Sequence, residues 1–257
     1  MALNTYEVQI KAIFGSPDSQ SSTKIFSGQI KSSGKYCTLY TPSTQVLCCI
    51  PSSLLTTYQD EDSTIALVPE EFVLQKPNEL SYENAVQGVV SLFKTLTALH
   101  YSLNVLQNES IFIINPSDFV PINLSLSLGL TVLYTFKEST SKKEETKTKA
   151  IKINEIPDGV IAETGGLGVN YVLDFNSRHD WKSKKAAIDC LAIRGKWAVC
   201  DASLQLDPPE SYQIFMRNAS VCWVNEDMWT WNGVEHGKFL HLLNTAMKYL
   251  KDGIDGR

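Results

Sequence analysis

The chain has 257 residues, 43% hydrophobic and 20% charged, which suits one large domain or two modest ones. Its formal net charge of −5 repels a phosphate backbone on average, so no direct nucleic-acid binding is expected without a local basic face. No apolar run approaches the ~20 residues of a membrane span. The opening MALNTYEVQIKAIF lacks the basic region and unbroken apolar stretch of a secretory leader, so a cytoplasmic location is expected.

Residues 1–80 read as a small β domain. YEVQIKAIF alternates apolar and polar residues, and KIFSGQIK, GKYCTLY and TQVLCCI follow as strands separated by the turn signals SSG and TPS. A helix is predicted next, across 81–102, as the connection to a second domain. Ser81 is its N-cap, Glu83 complements the dipole in the first turn, and apolar residues recur from Ala85 to Leu99 at helical spacing. From residue 110 strands and helices alternate: SIFII (110–114), a short helix within 118–129 closed by Gly129, TVLYTF (131–136) and AIKIN. A helix near 156–163, VNYVLDF (169–175), a helix over 181–193, KWAVCD (196–201), ASVCWVN (219–225) and an amphipathic helix over 236–253 complete the series. The alternation predicts an α/β domain over 81–257, a Rossmann-like doubly wound parallel sheet with helices on both faces. The charged stretch 137–149, KESTSKKEETKTK, mixes lysine with glutamate and reads as a solvated loop or short exposed helix.

Cys37, Cys48, Cys49, Cys190, Cys200 and Cys222 show no C-x-x-C spacing, and the four histidines are scattered, so reduced thiols and no metal site are expected. Three Asn-X-Ser sequons, at Asn108, Asn123 and Asn218, carry no meaning without secretion.

The glycine-rich AETGGLGVNYVLDF raises the question of a dinucleotide site. Such a site requires strand, glycine turn and helix in that order, so that the backbone and the helix N-terminus approach the diphosphate. Here the glycines precede the strand, so a helix C-cap and tight turn are expected. The diphosphate turn should follow SIFII, where Asn115, Pro116, Ser117 and Asp118 stand without a glycine. Pro116 and Pro121 each lack an N–H, and Asp118 brings a like charge. At about 4 Å, two unit charges repel by about 1 kcal/mol in water and about 4 kcal/mol near a protein surface. The turns Phe175-Asn176-Ser177 and Cys200-Asp201-Ala202 also lack glycine. Lys137 and Ser139 are candidates to hold a 2′-phosphate, with a solvated loop the alternative.

KPNELSYENAVQG (76–88), TALHY (97–101), ETGGLGVNYVLD (163–174), LQLDPPESY (204–212), ASVCWVNEDMW (219–229) and GKFLHLL (237–243) together resemble the zinc-free quinone oxidoreductases of the medium-chain dehydrogenase/reductase superfamily. The resemblance implies a shortened GroES-like β domain before the Rossmann-like domain. Three departures stand out. PSDFVPI replaces the glycine-rich AxxGGVG-type turn of active members, the N-terminal domain lacks a stretch before FSGQIKSSGKY, and the chain stops at Arg257, before the strands that return to the first domain; the missing zinc motif GHE fits the zinc-free branch. An incomplete catalytic domain of this kind would expose the cleft that shields hydride transfer from water.

The resemblance then implies three readings. The first is a non-catalytic pseudo-oxidoreductase without cofactor, in which Asn115, Pro116, Ser117, Asp118 and Lys137 are vestiges of a binding site. It would act as a scaffold subunit of a FERRY-type early-endosome complex for messenger-RNA transport. It would form a homodimer through the edge strand 219–225, with Val221 and Trp223 on one face. The second is an NADPH-dependent quinone or enone reductase, for which Tyr36, Tyr40 and Tyr58 read as packing residues rather than proton donors. The third is direct RNA binding, disfavoured by the acidic charge.

Overall fold

The computed structural model describes residues 6–15, 22–60, 63–135, 147–230 and 233–254. The chain forms two compact units, Met1–Phe93 with Glu226–Asp255, and Lys94–Asn225 with Gly256–Arg257.

The first unit contains β1 (Glu7–Gly15), β2 (Thr23–Ser33), β3 (Gln45–Pro51), β4 (Thr56–Asp60), β5 (Ser63–Pro69) and β6 (Val73–Gln75). They pair antiparallel in the order β4-β5-β1-β2-β3-β6. Alternation in β1 buries Val8 and Ile10, while β3 is covered on both faces and buries Val46 through Ile50. The strand expected at GKYCTLY does not form. β2 is already flanked by β1 and β3, so neither place beside it is open. The segment is instead a loop clasped by Glu70, whose carboxylate accepts from the Thr38 N–H (3.2 Å) and the Leu39 N–H (2.8 Å). The Tyr40 hydroxyl donates to the Val73 carbonyl at 2.9 Å.

Helix α1 (Tyr82–Leu96) starts as expected: the Asn84 N–H donates to Ser81 Oγ at 3.0 Å, and Glu83 lies in the first turn. The division between the two units falls within it. Its end widens into a π-helical segment, Thr97–Leu103, stopped by Asn104 in the left-handed region at φ 50°. Lys196 Nζ donates to the terminal Leu103 carbonyl at 2.7 Å.

The second unit alternates β7 (Ser110–Ile114), α2 (Val120–Ser127), β8 (Thr131–Thr135), β9 (Thr148–Ile151), α3 (Asp158–Glu163), β10 (Val169–Asp174), α4 (Trp181–Cys190), β11 (Leu191–Val199), α5 (Pro208–Met216) and β12 (Ser220–Trp223). All five strand pairs are parallel, in the order β12-β11-β10-β7-β8-β9. This is the Rossmann order, with its switch point between β7 and β10. Phe112, Val172, Ile188 and Trp197 are fully buried in its core.

Several elements differ from expectation. The helix expected over 181–193 ends at Cys190, because Leu191 is extended and pairs with Val169. A bulge follows, and Arg194 turns left-handed at φ 65° before Lys196 regains register with Tyr171. The expected edge strand 219–225 is four residues long. Helix α5 was not expected: Asp207 and Glu210 form a reciprocal capping box around two prolines.

The glycines of AETGGLGVNYVLDF behave as expected. Gly165, Gly166 and Gly168 lie at φ +61°, +89° and +79°, closing α3 and turning into β10. The Gly166 N–H donates to the Ile161 carbonyl at 2.9 Å. A Cβ at Gly168 would lie 2.7 Å from the Cys190 carbonyl oxygen, so both its sign of φ and its contacts require glycine.

The last helix, α6 (His236–Lys251), belongs to the first unit. It packs on the first unit because Phe239 sits between Phe72 and Phe93, with ring centroids 5.9 and 5.5 Å apart. Among the described residues no helix is long and apolar enough to cross a membrane.

Candidate functional site

In a doubly wound sheet the ligand crevice lies outside the C-terminal ends of the strands, at the switch point. Here it is bordered by the turns after β7, β10 and β11.

The turn after β7 holds Asn115, Pro116, Ser117, Asp118 and Phe119. Asn115 is left-handed at φ 51°, and its N–H donates to Thr135 Oγ1 at the end of β8, at 2.6 Å. Asp118 Oδ1 accepts the Val120 N–H at 2.8 Å, and Ser117 Oγ donates to Asp118 Oδ2 at 3.1 Å. The next residue of the helix, Pro121, has no N–H to offer. The protein's own carboxylate thus lies on the positive end of α2, where a diphosphate would have to lie. The residues present do not fit a dinucleotide diphosphate: Asp118 takes one donor and Pro121 removes another. Lys137 and Ser139 lie outside the described residues.

The turns after β10 and β11 are joined by a histidine. His179 Nε2 lies 2.9 Å from Asp174 Oδ2, and Nδ1 lies 3.1 Å from Asp201 Oδ2. Only 1% of the His179 side chain is exposed. Each carboxylate also closes its own turn. Asp174 Oδ1 accepts the Asn176 N–H at 2.9 Å, and Asp201 Oδ1 accepts the Ser203 N–H and hydroxyl, each at 2.8 Å. The ring of Trp197 stands edge-on to the imidazole, centroids 5.9 Å apart. The Asp174 hydrogen bond raises the His179 pKa above its ordinary value, against the opposing effect of burial. The Ser203 N–H holds Asp201 below the usual carboxylate range. With both nitrogens engaged and the ring buried, His179 has no lone pair free to act as a base toward a substrate. This cluster has no linear signature, because its residues lie on different strand ends and converge only through the adjacency of β10 and β11.

At the opposite end of the sheet, the Tyr171 hydroxyl donates to Glu109 and accepts the Leu106 N–H at 3.1 Å. Burial is the first cause that pushes this phenol up to about 12. Burial also pushes the Cys190 thiol up to about 12 and Cys222 to about 11, so both are protonated and weakly nucleophilic near neutrality. The six cysteines are free, and among the described residues no three His, Cys, Asp or Glu side chains are placed to hold a metal ion. Tyr36, Tyr40 and Tyr58 all belong to the first unit, where Tyr36 meets Tyr6 in a tilted ring pair, centroids 5.4 Å apart.

Among the described residues, the edge strand β12 pairs on one side only, with β11. Val221 is half-buried and Trp223 is 51% exposed, both on one face as expected. Tyr212, Phe215 and Met216 of the neighbouring α5 are also exposed.

No family model matches the chain. The chain is 25% identical over 254 residues to mouse quinone oxidoreductase-like protein 1, covering 89% of this chain and 71% of that protein. Among solved structures it superposes on an alcohol dehydrogenase superfamily protein from Novosphingobium aromaticivorans, with a TM-score of 0.77 at 15% identity, covering 99% of this chain and 82% of the other. The quinone oxidoreductase of Pseudomonas syringae gives a TM-score of 0.67 at 14% identity, with coverage of 99% and 82%. The resemblance read from the residues is matched by this similarity to quinone oxidoreductase-like protein 1, and the fold is a shortened GroES-like β domain with a Rossmann-like domain, as in these solved structures.

Proposed function

We propose that this chain, a quinone oxidoreductase-like protein by sequence and by fold, is a non-catalytic member that works as an interaction subunit. One observation carries the reading: the Asp118 carboxylate accepts the Val120 N–H at the start of α2, immediately before Pro121. A helix N-terminus that already holds an anion has little left for a second one, and the like charge opposes it. The crevice-facing turns after β10 and β11 are likewise closed on their own carboxylates. Titration with NADPH, followed by coenzyme fluorescence, is expected to give no saturable binding in the micromolar range, where reductases usually hold their substrates. Saturable binding there would favour the competing reading, an NADPH-dependent reductase of quinones or enones, which the reductase neighbours support.

The subunit role rests on the open edge of the sheet. A strand with unpaired N–H and C=O groups beside an exposed tryptophan is a template for a second copy. The proposed homodimer pairs β12 of one protomer with β12 of its partner. Sedimentation equilibrium at micromolar concentration is expected to show a dimer, and Trp223→Ala is expected to raise its dissociation constant about 30-fold, the ~2 kcal/mol of an interface hot spot. A monomeric wild-type protein at that concentration refutes the pairing. Following the resemblance, the larger assembly proposed is a FERRY-type complex at the cytoplasmic face of early endosomes, with the other subunits as its partners.

A further inference from the structure

We propose that Asp174, His179 and Asp201 form a proton-operated latch that fastens the turn after β10 to the turn after β11. The geometry sets the requirement. Both ring nitrogens face carboxylate oxygens, at 2.9 and 3.1 Å, in a site that excludes water. A neutral imidazole has one N–H and one lone pair, so it satisfies one carboxylate and turns its lone pair toward the other. The imidazolium donates to both. The carboxylates are fixed independently of the ring, Asp174 by the Asn176 N–H and Asp201 by Ser203, so neither is free to swing away. Losing the proton therefore releases one strut of the bridge.

The charged groups acting on His179 are Asp174 at the end of β10 and Asp201 beyond β11. From β11 the ring is faced by the neutral Trp197. Within its own turn Arg178 and Asp180 are exposed, and Asp180 is committed to the Ser183 N–H at the start of α4. His179 holds its proton more tightly in the folded protein than in the unfolded chain. Its contribution is complete below the ordinary histidine pKa and is lost as pH rises through the raised value. Asp201 acts in the opposite sense: its contribution is present above the ordinary carboxylate pKa and is lost as pH falls through the depressed one. The latch is strongest between about pH 4 and 6.5 and opens on the alkaline side.

Two measurements test this on the intact chain. Long-range proton–nitrogen correlation of the histidine rings, with His179 assigned by the His179→Gln variant, is expected to show a doubly protonated ring that persists above the pH where a free histidine titrates. Amide exchange of Asn176 and Ser203, corrected for intrinsic rate, is expected to rise with pH above that point, by up to about tenfold for each unit by which the pKa is raised. In His179→Gln this alkaline limb should vanish. If that variant does not fold, the ring titration of the wild-type protein decides alone. A His179 ring that is neutral at pH 6, or amides whose protection is flat with pH, overturns the latch.

Discussion

Replacing Phe239 by alanine is expected to destabilise the first unit by about 3–5 kcal/mol, the usual cost of removing a fully buried phenyl ring. Phe239 is 0% exposed and leans on Phe72 and Phe93 at centroid distances that favour tilted and edge-on ring contact. It heads a continuous apolar face of α6, in which Leu242, Leu243, Ala246, Met247 and Leu250 are buried below it. Phe239→Leu keeps much of the volume and is expected to cost clearly less. Because the chain has two units, unfolding need not be a single transition. Amide exchange locates the effect: protection in β3 should fall while that in β10 is unchanged. A loss below about 1 kcal/mol in Phe239→Ala would mean that α6 is not part of this core.

The second large effect is expected at Asp174. Asp174→Ala removes a carboxylate that is 0% exposed and leaves the buried His179 with an unpaired nitrogen and the Asn176 N–H without its acceptor. Breaking a buried ion pair from one side costs about 3–5 kcal/mol, most of it from stranding the remaining charge. The cost should depend on pH. It is greatest near pH 6, below the ordinary histidine pKa, and smaller near pH 9, further along the alkaline limb on which His179 gives up its proton. Asp174→Asn keeps the shape and the bond to Asn176, and is expected to fall between the wild-type protein and Asp174→Ala. Urea denaturation of the three proteins at both pH values measures this. Equal losses at both would mean that His179 does not change its protonation between them.

Local chemistry decided which features were readable from residues alone. Ser81 and Glu83 mark the start of α1 because capping acts over three residues. Gly165, Gly166 and Gly168 announce a helix end because positive φ is a single-residue property. The turn after β7 was recognisable as filled, but the use of Asp118 as a substitute anion became visible only with its bond to Val120. Other features depended on neighbours far along the chain. GKYCTLY has the composition of a strand, yet both places beside β2 are taken. Leu191 and Ile193 extend the helical rhythm of α4, but pairing with Val169 draws Leu191 into β11. The DPPE start of α5 was a local signal that passed unrecognised. The Asp174–His179–Asp201 cluster required knowing that β10 and β11 lie side by side.

The two borders of the parallel sheet are unequal. On the β9 side the rim is four residues long, and its outward Lys149 is engaged by Glu163 of α3, so a visiting strand meets a charged obstacle. On the β12 side the visitor meets Val221 and Trp223. The proposed β12 pairing uses the same edge on both copies, so it closes on itself rather than growing into a fibre.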